Sequence, residues 1–110
     1  MSTATARATD SEIAEVRKEI DKSKIRLSIV DTELEKTKIE ISLVTAEIKN
    51  LEKLYARTPL PKYKRALDQA YFEFGVLNQQ FIRLESEHVS LLEYIRILEA
   101  KLLELLRDKP

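Results

Sequence analysis

Apolar side chains recur along this chain at alternating steps of three and four, in two runs that mirror each other about a proline-bounded break. The first run is Ile13, Val16, Ile20, Ser23, Leu27, Val30, Leu34, Thr37, Ile41, Val44, Ile48, Leu51 and Tyr55. The second is Tyr63, Leu67, Ala70, Phe74, Leu77, Phe81, Leu84, His88, Leu91, Ile95, Leu98, Leu102 and Leu105. Such spacing holds one stripe on one side of a helix, the seam of a coiled coil. Residue numbers at matched positions sum to 118, from Tyr55 with Tyr63 to Ile13 with Leu105. A chain that reverses at the break therefore brings every layer into register. The pattern predicts an all-α fold: a long antiparallel two-helix coiled-coil hairpin that pairs with a second copy into a dimeric four-helix bundle.

Local signals place the elements. Thr9-Asp10-Ser11-Glu12 has the form of a capping box, and no Gly or Pro follows until Pro59. The expected organisation is a flexible tail over residues 1–9, a helix over 10–57, a turn over 58–61 and a helix over 61–107. The first helix would be on the order of 70 Å long at about 1.5 Å per residue. Thr58-Pro59-Leu60-Pro61 breaks it, because proline lacks the donor a helix interior needs but fits a first turn. Pro59 or Pro61 then opens the second helix, with Thr58 as its expected cap. Small seam residues fall opposite large ones, Ser23 with Ile95, Thr37 with Phe81 and Ala70 with Ile48, as close packing requires. A parallel rod would carry the prolines in mid-helix.

Positions beside the seam bear on assembly. In the antiparallel register Arg17 with Glu99 and Glu19 with Lys101 attract, whereas Asp31 with Glu85, Glu33 with Glu87 and Glu47 with Glu73 repel unless another chain supplies cations such as Arg26, Lys36, Lys38 or Arg83. Further apolar stripes keep helical spacing away from the seam. They are Ile25, Ile29, Ile39 and Leu43 on the first helix, and Tyr71, Gly75, Ile82, Val89, Leu92, Leu103 and Leu106 on the second, with Phe72 and Ile97 nearby. A lone hairpin leaves these in water, so they are the expected self-association surface, with Gly75 permitting close helix approach.

Composition narrows the function classes. Lys and Arg total 19 and Asp and Glu total 19, so no global positive field draws the chain onto nucleic acid or anionic lipid. Six cations nevertheless crowd the hairpin tip: Lys49, Lys53, Arg57, Lys62, Lys64 and Arg65, opposed only by Glu52. With Tyr55 and Tyr63 among them, they suit an acidic protein surface or, less favoured, a phosphate backbone. Capping by the first helix dipole explains Lys53 and Arg57 but not the cations that begin the second helix. Cysteine is absent, so there is neither a disulfide nor a thiolate metal site, and no apolar run approaches the roughly 20 residues of a membrane span. The first nine residues lack the apolar core of a secretory signal, and the expected compartment is the cytoplasm. Few Asn and Gln beside dense charge suggest a thermophilic source.

Glu85-Ser86-Glu87-His88 sets a carboxylate and an imidazole one helical turn apart, the Glu-x-x-His spacing of ferritin-like di-iron bundles, and Asp31 faces Glu85. Glu85, His88 and Asp31 would form a half-site for a metal. The simpler reading is that His88 is a polar residue in one seam layer that fixes register; a third makes it a pH-responsive layer among the surrounding carboxylates. No catalytic constellation accompanies it, with one His, no Cys, no Gly-rich phosphate loop and no nucleophile set beside a base. In shape the predicted hairpin is similar to bacterial export-apparatus coiled-coil proteins and to small tubulin-binding chaperones, a likeness of architecture without a shared motif. Its turn is not that of secretion-needle proteins, and the lack of Trp excludes the Trp-x-Gly secreted hairpins. The expectation is a non-enzymatic scaffold or adaptor without a cofactor, binding itself and another protein.

Overall fold

A computed structural model contains two helices, α1 (Ser2–Arg57) and α2 (Pro61–Asp108), that form a hairpin. The structure describes residues 10–108 with their side chains, and the tail expected over residues 1–9, with its cap at Thr9, lies outside them. No described helix is long and apolar enough to cross a membrane. Pro61 is the first residue of α2, which leaves residues 58–60 as the connector. Thr58 N–H donates to the Leu54 carbonyl at 2.8 Å, prolonging the α1 bonding pattern by one residue, and Leu60 N–H donates to the Thr58 carbonyl at 2.7 Å. The Leu60 carbonyl then accepts from Tyr63 N–H at 3.0 Å and Lys64 N–H at 3.3 Å. Leu60, not Thr58, therefore occupies the cap position, and Pro61 follows at the helix position where a missing N–H costs nothing.

The helices contribute to two compact units. One joins α1 up to Asp31 to α2 from Glu87 onward; the other, Thr32–Ser86, contains the connector. In the first unit Val16, Ile20 and Leu98 form a buried cluster against which Leu102 and Leu105 pack. In the second, Val44, Ile48, Leu67 and Ala70 are buried, with Leu51, Tyr55 and Leu77 against them. Every fully buried residue among those described lies on the seam, including the polar Ser23 and Thr37. Thr37 satisfies its hydroxyl locally, donating to the Glu33 carbonyl at 2.8 Å, and Gln80 Nε2 approaches the same oxygen at 3.5 Å. Phe74 is the seam residue that stays largely open, at 36% exposure.

Ion pairing differs from the expected register. In the unit holding the open ends, Arg26 grips Glu87 with two bonds, Nε to Oε1 at 2.6 Å and Nη2 to Oε2 at 3.0 Å. Lys24 meets Glu99 at 3.6 Å, in place of Arg17, and the Tyr94 hydroxyl meets Glu19 at 3.4 Å, in place of Lys101. Long side chains reach a turn along the helix to the opposite charge rather than resting against the like charge nearest in level. Glu87 thus finds its cation within the chain, and the argument that this carboxylate needs a second copy falls away.

Candidate functional site

The off-seam stripes are exposed as expected. In the unit with the open ends, Ile25 and Ile29 on α1 and Val89, Leu92, Leu103 and Leu106 on α2 all face solvent. In the unit with the connector, Ile39, Leu43, Tyr71 and Ile82 do the same, and a Cβ built on Gly75 meets nothing within 4 Å. Heptad positions show that these residues do not make one face. Ile39 and Leu43 point away from the seam on one side of the helix pair, whereas Tyr71, Gly75 and Ile82 follow the opposite flank of α2.

What accompanies Ile39 and Leu43 is a groove of ≈ 420 Å³ lined by Leu43, Val44, Phe72, Val76 and Leu77. Phe72 and Val76 are 73% and 51% exposed, large values for apolar side chains on a helix pair. Glu40 and Glu73 stand on its rim. Neither carboxylate takes part in the ion pairs found among the described residues, which join Lys24 to Glu99, Arg26 to Glu87, Lys38 to Glu35 and His88 to Asp31. Glu73 shares its surroundings with Glu40.

All six cations of the basic tip are exposed and belong to the same unit. Lys53 and Arg57 border a shallow depression with Asn50 and the 42% exposed Leu54. Lys62 Nζ lies 5.2 Å from the centre of the Tyr63 ring, a cation–π contact that holds it near the connector. Helical spacing divides the cluster. Arg57 shares a heptad position with Leu43, Lys53 with Ile39, Arg65 with Phe72 and Lys62 with Val76. Four cations thus continue the face that carries the groove, whereas Lys49 and Lys64 lie elsewhere.

No protein-family model matches this chain, and no curated protein and no solved structure is significantly similar to it. Function must be read from these surfaces alone.

The third candidate resolves into a pair. His88 Nδ1 lies 2.8 Å from Asp31 Oδ1, close in distance but not aligned as a hydrogen bond, and the nitrogen is itself buried although the ring is 32% exposed. Of Asp31, Glu85 and His88, the structure brings the first and last together, and among the described residues no group of three or more His, Asp or Glu side chains is placed to hold a metal ion. Glu87, the residue before His88, has its carboxyl held below the ordinary range chiefly by the hydrogen bonds from Arg26; burial opposes them, and the charge of Arg26 adds a lesser lowering. Two groove residues escaped the sequence reading, Val76 and Glu40, and Glu73 entered it only as a like charge set against Glu47. The signal for Val76 was present in its heptad relation to Lys62. Glu40 carried none, since any coiled coil places carboxylates beside its seam.

Proposed function

We propose that this chain is a non-enzymatic cytoplasmic scaffold or adaptor that self-associates through exposed apolar surface and engages an acidic protein surface with its basic tip. The observation that carries this reading is the groove of the connector unit, where Leu43, Phe72 and Val76 stay 51–73% exposed on a rigid helix pair. A side chain of this kind loses roughly 1.5–3 kcal/mol of burial free energy by remaining in water, so several together favour association. The metal-dependent alternative has less support, since among the described residues no group of three or more His, Asp or Glu side chains is placed to hold a metal ion.

The test is solution mass by light scattering over a hundredfold concentration range. Wild-type protein should be a dimer, near twice 12.8 kDa. A variant carrying both Leu43→Asp and Val76→Asp should be a helical monomer, because both positions are exposed and tolerate charge within a single chain. Ile82→Asp probes the other flank of α2. A wild-type protein that remains monomeric throughout would remove the self-association reading; a dimer lost only with Ile82→Asp would move the contact to that flank.

A further inference from the structure

The groove and the tip lie on one face of one unit, and they are complementary to each other. Toward the middle of the unit this face is apolar with an unpaired acidic rim, Glu40 and Glu73; toward the connector it carries Lys53, Arg57, Lys62 and Arg65. The two regions are centred about ten residues apart along α1, or about 15 Å at about 1.5 Å per residue. A surface with one sign of charge at one end and the other sign at the other end matches itself when turned by a two-fold axis through its centre.

We infer that the acidic surface recognised by the basic tip is the groove of a second copy of this chain, so that two hairpins overlap tip against groove in an antiparallel, two-fold dimer. This rests on the self-association proposed above and names its geometry. The axis would pass near Glu47 and Asn50, midway between groove and tip. Leu54 of each copy, exposed beside Lys53 and Arg57, is placed to enter the groove of the other, with the stems of Lys53 and Arg57 covering Phe72 and their charged ends reaching Glu40 and Glu73. The overlap would run about 22 residues on each helix, or about 33 Å by about 20 Å for two helices side by side, which buries on the order of 1,300 Å² in total. That lies inside the range of roughly 1,200–2,000 Å² of specific interfaces. Over that length the four helices form a bundle. The arrangement supplies the cations that Glu40 and Glu73 lack in a single chain, and it explains why basic residues begin α2, where the helix dipole disfavours them.

A reciprocal charge exchange tests it. One variant carries Glu40→Lys and Glu73→Lys, the other Lys53→Glu and Arg57→Glu, and circular dichroism confirms that both remain helical. Each alone meets like charge at both contacts of the two-fold pair and should dimerise at least tenfold more weakly than wild type by light scattering. Mixed in equal amounts, they regain opposite charge at both contacts and should form a heterodimer of wild-type mass. Variants that each dimerise as tightly as wild type would overturn the inference while leaving self-association through another face intact. Weakened variants that fail to restore one another would overturn it as well. A monomeric wild type would overturn this geometry and the self-association reading together.

Discussion

Val30 and Val89 permit a comparison in which the side chain is constant and only its surroundings change. Both lie in the unit holding the open ends; Val30 is 0% exposed on the seam, and Val89 is 63% exposed on the outer flank of α2. Replacing valine by alanine removes two carbons, about 1.6 kcal/mol of transfer free energy at about 0.8 kcal/mol per carbon when the site is fully buried. At Val30 a residual cavity brings the loss to about 2–3 kcal/mol, and the better helix propensity of alanine returns roughly 0.5 kcal/mol. The expected cost of Val30→Ala is therefore about 2 kcal/mol. At Val89 only about a third of the transfer free energy is at stake, ~0.6 kcal/mol, and the propensity gain cancels it. Urea unfolding followed by circular dichroism, at two protein concentrations a hundredfold apart, measures both. Equal costs, or less than about 0.5 kcal/mol at Val30, would refute the assignment of the seam as the core among the described residues of that unit. A cost at Val89 that grows with concentration would instead mark it as a contact between copies.

Other changes follow from single contacts. Gly75→Ala should stabilise the chain by about 0.5–1 kcal/mol in thermal or urea unfolding, because glycine lies inside α2 and an added Cβ meets open space; a loss of dimer on the same change would show that another helix approaches there. Leu60→Ser should add about 1 kcal/mol, since Leu60 holds the cap position of α2 without a side-chain acceptor, and no gain would mean that the first N–H groups of α2 are already satisfied. The lowered pKa of Glu87 contributes stability that is fully present above the ordinary carboxylate pKa and is lost as pH falls through the lower folded value. Arg26→Gln should therefore reduce stability at neutral pH and raise the titration midpoint of the Glu87 carboxyl, read by NMR; an unchanged midpoint would contradict the bidentate pair.

Heptad arithmetic gave the seam and the exposure of the outer stripes, because burial on a two-helix pair is set almost entirely by angular position, and the prolines after Thr58 marked where α1 ends. It misassigned the ion pairs. Position along a helix axis does not say how far a lysine or arginine reaches, so Arg26 rather than any neighbour in level found Glu87. It offered both off-seam stripes for self-association without choosing between them, and Leu43 and Ile82 belong to opposite flanks. The groove depends on Phe72 and Val76 of α2 standing beside Leu43 of α1, a juxtaposition that emerges only once the two helices are laid together. The cap was misread for a different reason: Thr58 has the better side chain, but a proline at Pro61 fixes where α2 begins.

That connector bears on what His88 does. A polar group in a coiled-coil seam is useful when the helices are otherwise free to slide by a heptad, since a slip would strand it among apolar residues. In this hairpin a slip of one heptad would move the centre of the turn by about half that length and place Pro59 or Pro61 within a helix, at a cost of about 3 kcal/mol. Register is then already fixed by the connector. His88 leaves its Nδ1 buried beside Asp31 without an aligned hydrogen bond, whereas Asp31 itself is 54% exposed at the side chain and keeps its water. Removing an under-satisfied polar group and filling the space with apolar atoms is neutral or stabilising, by about 1–3 kcal/mol at most. His88→Leu should thus stabilise the hairpin by about 1 kcal/mol in urea unfolding. It should also keep the register, which a disulfide between Ile20→Cys and Leu98→Cys, both buried in one cluster, reports by forming as readily as it does with His88 in place. A destabilised His88→Leu protein, or one in which that disulfide no longer forms, would show that the histidine and not the connector sets the alignment of the two helices.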